Sequence, residues 1–204
     1  MTKPADFWNE RYQRDDYIFG TEANDFIRAM TPYPSPGMKA FAPADGEGRN
    51  GVFLARMGYA VTSVDVSALA VDKAHKLADA HGVEINAHVG DVFDHAKTAS
   101  DYDLVIISFM HFLPQDHDRF IRLVRDCLKP GGLVIMENYT IDQIPLTSGG
   151  PKNEDMLLTR GRVEADFDGF DIEILRENRR FLAEGPRHQG EAAVIQLVAR
   201  KPTT

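Results

Sequence analysis

The chain has 204 residues, 43% of them hydrophobic, enough for one α/β domain with a sizeable core and short for two. Its 31 acidic against 23 basic residues give a formal net charge of -8, which excludes a long phosphate-tracking surface unless the basic residues gather on one face. A small-molecule substrate is favoured over nucleic acid. The single cysteine, Cys127, excludes an internal disulfide and a multi-cysteine zinc site. With no charged-then-apolar leader and no apolar run of about 18 residues, the expectation is a cytoplasmic protein with no membrane partner.

Residues 1–37 read as a preamble. The spacing over 6–14 predicts a short polar helix with Trp8 and Tyr12 on one face, followed by an ordered loop and a helix from about Asp25. This segment either covers a pocket or caps one end of the core. Pro32, Pro34 and Pro36 end it, because none fits a helix interior. The core of the single expected domain then runs over 38–204.

It opens with a short apolar strand at 38–43, a glycine-rich turn bearing acids at 44–50, a helix over 52–57 stopped by Gly58, and a β-branched strand at 61–64 closing on Asp65. Ser67 is the expected N-cap of an amphipathic helix carrying Leu69, Ala70, Ala74, Leu77 and Ala78, which Gly82 stops. A third strand spans 84–89 and ends at Gly90-Asp91. The run 103–109 is apolar throughout, hence a central strand buried on both faces. A helix over 114–128, the turn KPGG at 129–132 and a fifth strand at 133–137 follow. Beyond them come a long loop at 142–155, a helix at about 154–167, and strands at 170–181 and 192–199 that pair as a hairpin. This alternation predicts a Rossmann-like, doubly wound, mostly parallel sheet with an antiparallel C-terminal hairpin and helices on both faces.

The chemistry sits at the turn. Gly46, Gly48 and Gly51 satisfy G-x-G-x-x-G, the dinucleotide fingerprint, but Asp45 and Glu47 stand between them and oppose a pyrophosphate by on the order of 1 kcal/mol each, offset in part by Arg49. The same acids suit a cation. S-adenosylmethionine carries a sulfonium and an ammonium and no phosphate, and Asp65, at the end of the second strand, is placed to accept from both ribose hydroxyls. An NAD(P)-dependent oxidoreductase and a non-catalytic S-adenosylmethionine-binding protein are the alternative readings.

The segments ADGEGRN (44–50), VTSVD (61–65), GDVFD (90–94), DLVIISFMHF (103–112) and LKPGG (128–132) resemble a class I S-adenosylmethionine-dependent methyltransferase. With WNERY and YIFGTEANDF as a lid, the chain is most similar to the branch holding the tellurite-resistance and thiopurine-type methyltransferases. The first motif of that family commonly runs acid-x-Gly-x-Gly-x-Gly; here Ala42 and Ala44 replace the acid and the first glycine, which passes the ligand's ammonium to Asp45, with Glu47 its rival. The resemblance implies a cofactor site formed by Asp45, Gly46, Glu47, Gly48, Asn50, Asp65 and Val66, with Asp91 at the adenine amino group, Val92 packed on the adenine and Phe109 at the ligand's waist.

The acceptor side is expected at the hairpin turn EGPRHQGE, which the implied topology brings to the same sheet edge. Arg187, His188 and His111 are the candidate catalytic residues, and Asn138, Tyr139 and the loop at 149–152 further candidates. No Asp/Asn-Pro-Pro-Tyr follows the fourth strand, where amino-methylating enzymes of nucleic acid and protein often carry it. The expected reaction is methyl transfer to a small thiol, metalloid oxyanion or similar soft or anionic nucleophile, with no metal involved.

Overall fold

The computed structural model of the chain describes residues 4–95 and 101–203. Its elements are α1 (Pro4–Tyr12), α2 (Asp25–Met30), β1 (Lys39–Pro43), α3 (Arg49–Met57), β2 (Ala60–Asp65), α4 (Ala68–Ala80), β3 (Asn86–Val89), α5 (Val92–His95), β4 (Tyr102–Ser108), α6 (Pro114–Cys127), β5 (Leu128–Tyr139), α7 (Arg160–Asp166), β6 (Asp171–Ala183) and β7 (Gln189–Arg200), with 3₁₀ turns at Ile141–Gln143 and Glu154–Met156. Among the described residues, seven strands form one sheet in the order β3-β2-β1-β4-β5-β7-β6. Pairing is parallel from β3 through β5, and β7 runs antiparallel to both β5 and β6.

Side-chain alternation along the central strands builds two cores. Phe41, Val105, Ile107, Val134 and Met136 face one side and pack with Phe120 and Val124 of α6. Ala40, Ala42, Leu104, Ile106 and Ile135 face the other and pack with Ile27 of α2, Leu54 of α3 and Ala74 of α4. A fully buried leucine or isoleucine contributes about 1.5–3 kcal/mol, so these layers hold the strand ends in fixed relation. No helix among the described residues is long and apolar enough to cross a membrane.

Two local expectations are corrected. The KPGG stretch does not separate α6 from β5: Leu128 already pairs with Tyr102, the register then jumps to Leu104↔Leu133, and residues 129–132 bulge between, with Gly131 at φ 78° and its N–H on the Lys201 carbonyl. The helix expected at 154–167 is confined to Arg160–Asp166. Leu158 is taken into a bridge with Thr140, its N–H donating to the Tyr139 carbonyl at 3.1 Å, and Thr159 then caps α7 by accepting from the Arg162 N–H. Sheet pairing there outcompetes helical periodicity.

The parallel strands β1, β2, β4 and β5 end on one edge, at Pro43, Asp65, Ser108 and Tyr139. Because Tyr139 pairs with Val194 in the antiparallel β7, the β6–β7 turn rises past that same edge. This is where an open α/β sheet binds ligands.

Candidate active site

The turn after β1 is shaped by left-handed backbone at Ala44 (φ 47°), Gly46 (φ 58°) and Gly48 (φ 89°), the last being the N-cap of α3. Ala44 is anchored by its N–H on the Val64 carbonyl at 2.7 Å, which ties the turn to β2. Asp65 then reaches back over it: one carboxylate oxygen accepts from the Gly46 N–H at 3.0 Å and the other from the Ser67 N–H at 2.8 Å. Burial raises its pKa, against the pull of those two N–H donors.

Asp45 folds onto the start of α3. Its carboxylate accepts from the Gly51 N–H at 2.7 Å and from the Asn50 amide at 3.1 Å, and burial raises its pKa to about 6. A Cβ at position 51 would stand 2.8 Å from that carboxylate, so the third glycine of the fingerprint is there to admit an aspartate. Glu47 is engaged on both oxygens, one with the Lys73 ammonium at 2.8 Å and the other with the Ile18 N–H at 2.8 Å and the Phe19 N–H at 3.4 Å. It holds the preamble down. Burial raises its pKa against the opposing Lys73.

The preamble does cover the turn. Ser67 donates to Asn9 of α1 at 2.7 Å, Trp8 stacks on Tyr12, and a Cβ on Gly46 would lie 2.6 Å from the Tyr12 hydroxyl. That hydroxyl is held well above its ordinary pKa, by burial first and then by the charges of Asp65, Glu47 and Asp45. Val66 is half-buried beyond β2. Val92 is buried, while Asp91 is exposed and caps the start of α5 by accepting from the Phe93 N–H at 2.9 Å.

On the other side, His188 is 6% exposed, its ring 4.6 Å from Phe19, 4.5 Å from Phe109 and 6.1 Å from Tyr139. Its Nδ1 has no hydrogen-bond partner among the described residues and lies 4.0 Å from the Glu184 carboxylate. Burial, with the nearby Arg49 charge, pushes its pKa down to about 3. His111 stacks on Tyr139 at 5.5 Å and bonds the Met156 carbonyl through Nδ1 at 3.1 Å. A carbonyl only accepts, so Nδ1 carries the proton and the buried, unpartnered Nε2 presents a lone pair. Burial pushes its pKa down to about 4. Phe109 sits at φ 50°, a strained conformation for an aromatic residue, and lays its ring 4.5 Å from Tyr139. Gly149 (φ 130°) and Gly150 (φ 83°) close over Tyr139, where a Cβ on either would come within 2.8 Å of the tyrosine. Asn138 donates to the Met110 carbonyl and accepts from its N–H. Arg187 is exposed, and among the described residues only its backbone N–H is engaged, on the Ile18 carbonyl at 3.0 Å.

The structure therefore brings Asp45, Gly46, Gly48 and Asp65 together at one end, and Phe109, His111, His188 and Tyr139 at the other; Arg187 and Asp91 stay at the surface. The chain also builds something that its sequence did not disclose. Glu137, fully buried at the end of β5, accepts from Arg180 at 2.6 Å, from Asn24 at 2.7 Å and from Gln196. Glu184 accepts from Arg49 at 2.7 Å and from Arg180. Burial works against ionisation of Glu184, yet the two guanidiniums hold its carboxyl below the ordinary range. The one available signal was an acid near the end of an apolar strand, LVIME, with the alternating pair Arg179-Arg180 on a strand that lies two places away in the sheet. An open groove of about 460 Å³ past the end of β5, lined by Thr140, Leu158, Glu177 and Arg179, includes none of the candidate residues.

The donor set fits S-adenosylmethionine: the carboxylates of Asp45 and Asp65 around a glycine cradle suit a cationic end and two ribose hydroxyls, with a buried valine for the base. Residues 44–132 match the family model described as a methyltransferase domain. The chain is 23% identical over 178 residues to the tRNA 5-carboxymethoxyuridine methyltransferase of Escherichia coli K12, covering 85% of this chain and 62% of that protein, so it spans less than two thirds of that curated relative. N-methyltransferase NodS from Bradyrhizobium japonicum, solved with S-adenosyl-L-homocysteine, superposes with a TM-score of 0.73 at 12% identity, over 97% of this chain and 98% of that one. TehB from Haemophilus influenzae does so with a TM-score of 0.71 at 18% identity, over 97% and 66%. These likenesses establish the fold, and the family match places a methyltransferase domain on residues 44–132.

Proposed function

We propose that this chain is an S-adenosylmethionine-dependent methyltransferase that methylates a small molecule against the aromatic wall of Phe19, Phe109, Tyr139 and His188. The observation that carries the reading is the charge at the glycine turn: Asp45 and Asp65 converge on it, with Glu47 neutralised by Lys73, and the pair opposes a pyrophosphate and favours a cation. That ranks an NAD(P)-dependent oxidoreductase second. Likeness to TehB, together with the aromatic lid, supports the tellurite-resistance and thiopurine branch.

Asp65 would hold the ribose hydroxyls, since each of its oxygens spends one lone pair on a backbone N–H and keeps another. Asp45 would pair with the ammonium, Asp91 would meet the adenine amino group, and Val92 and Val66 would pack the base. When bound, S-adenosylmethionine supplies an electrophilic methyl on sulfur, whose bond electrons remain with sulfur as the acceptor's lone pair takes the carbon. The chain's own contribution is placement. Phe109, held at a positive φ, and Tyr139, clamped by Gly149 and Gly150, fix the acceptor's approach. The bare Nε2 of His111 would accept the hydrogen bond of the acceptor's S–H or O–H and take up that proton as the methyl moves, while His188, neutral with its pKa pushed down to about 3, would line the acceptor wall. Arg187 at the rim draws an anionic acceptor toward the turn.

The net charge of -8 and the burial of Arg49 and Arg180 in ion pairs support a small acceptor over nucleic acid, and the reduced, buried Cys127 is consistent with the cytoplasm. The curated relative that acts on tRNA sets the control. Labelled-methyl transfer to a panel of thiols, metalloid oxyanions and bulk tRNA should label a small acceptor; label in tRNA alone would refute the acceptor assignment, and label nowhere would leave a cofactor-binding protein.

A further inference from the structure

The glycine turn and the acceptor wall belong to distant stretches of chain, and one buried charge cluster joins them. Arg49 is the first residue of α3, directly after the turn, and Glu184 follows β6, four residues before His188. Their side chains are 6% and 5% exposed and meet at 2.7 Å. Glu184 also accepts from Arg180, which pairs with Glu137 at the end of β5, and the Asn24 amide reaches both Glu137 and Glu184. The two guanidiniums and two buried carboxylates cancel, with the exposed Asp25 touching Arg180 from outside at 3.4 Å, and in a low-dielectric interior a displaced partner costs far more than at the surface.

The backbone around the cluster is fitted as closely. Gly185 (φ 89°) approaches Gly20 so that a Cβ there would stand 2.3 Å from the Gly20 nitrogen, and the Arg187 N–H donates to Ile18, the residue whose own N–H is held by Glu47 of the turn. Turn and hairpin thus meet directly through the Arg49–Glu184 pair, and the lid joins both through Asn24, Ile18 and Phe19. A shift of Arg49 would break or drag its 2.7 Å contact with Glu184, at the base of the His188 turn.

We propose that Arg49 and Glu184 are positioning residues that transmit occupancy of the glycine turn to the hairpin at 184–190. The inference rests on the reading of the turn as the S-adenosylmethionine site. Its test uses a pair of substitutions that removes the contact without orphaning a charge: Arg49→Met with Glu184→Met leaves Arg180 and Glu137 as a neutral pair, and exchanging a buried ion pair for apolar side chains is commonly neutral to folding. The probe is S-adenosylhomocysteine, and the readouts are calorimetric affinity and amide hydrogen exchange.

In the wild-type chain the probe is expected to slow exchange at 45–51 and, by about tenfold, at 184–190. In the double variant it should bind within about threefold of wild type and protect 45–51, with exchange at 184–190 unchanged. Arg49→Lys, which keeps the charge and loses the planar fork, should fold normally and give an intermediate hairpin response, and serves if the double variant does not fold. Equal hairpin protection in wild type and variants would overturn the proposal, as would no hairpin response in the wild type. Probe affinity falling in step with melting temperature would also overturn it, by making the pair a plain brace. A wild-type chain that binds no S-adenosylhomocysteine sinks the site assignment itself and this inference with it.

Discussion

Replacing Arg180 by methionine should destabilise the chain severely, and the magnitude follows from what it leaves behind. Glu137 is fully buried, and Arg180 contacts it through both Nε and Nη2, at 2.6–3.2 Å. Without the guanidinium, the carboxylate keeps only the neutral amides of Asn24 and Gln196. An uncompensated buried charge of this kind costs about 3–5 kcal/mol. For a chain of this length that is a fall in Tm of about 6–20 °C, and a large share of the about 5–15 kcal/mol that holds a typical domain folded. The double variant Arg180→Met/Glu137→Met should recover to within about 1 kcal/mol of wild type, because Arg49 and Glu184 remain as a neutral pair. Urea unfolding followed by circular dichroism measures both. The reasoning is refuted if Arg180→Met lies within about 1 kcal/mol of wild type, or if the double variant is as unstable as the single.

Three further outcomes are expected. Asp45, with its pKa raised to about 6, becomes a full carboxylate only above that pH, so affinity for S-adenosylhomocysteine should rise between pH 5 and 7 in the wild type and stay flat in Asp45→Asn; calorimetry at three pH values decides. His188, with its pKa depressed to about 3 in the folded chain, resists a proton that the unfolded chain accepts near pH 6.5. Stability present above pH 6.5 is therefore lost as pH falls, by about 2 kcal/mol at pH 5 from this group. His188→Phe should flatten that slope, and parallel urea curves at pH 7 and 5 for the two proteins would contradict it. Gly185→Ala places a Cβ against the Gly20 nitrogen at a positive φ, should cost about 1–3 kcal/mol, and should speed proteolytic cleavage between residues 13 and 24.

The element order, the turn and the placement of Asp65 were legible because they are local: apolar runs, glycines and a strand-closing acid lie within a few residues of one another. The hairpin edge was legible through topology, since a β7 antiparallel to β5 must bring its leading turn to the ligand edge. Glu47 was harder. From sequence it stood as a rival for the cofactor's ammonium, and only the fold reveals that Lys73 and the Ile18 and Phe19 N–H groups occupy it. The cluster of Asn24, Arg49, Glu137, Arg180 and Glu184 was illegible for the same reason, its members being spread over 160 positions. Along β6, alternation lets at most one of Arg179 and Arg180 point inward: Arg180 does, and Arg179 pairs with Glu191 at the surface. The alternation did not name the partner.

The central claim, that the turn and Asp65 hold S-adenosylmethionine, is tested most directly by titrating the chain and Asp65→Asn with S-adenosylhomocysteine, and with NADP as the control. The account predicts micromolar-range binding in the wild type, a loss of about tenfold or more in Asp65→Asn, and no heat with NADP. Binding of NADP without binding of S-adenosylhomocysteine would contradict it.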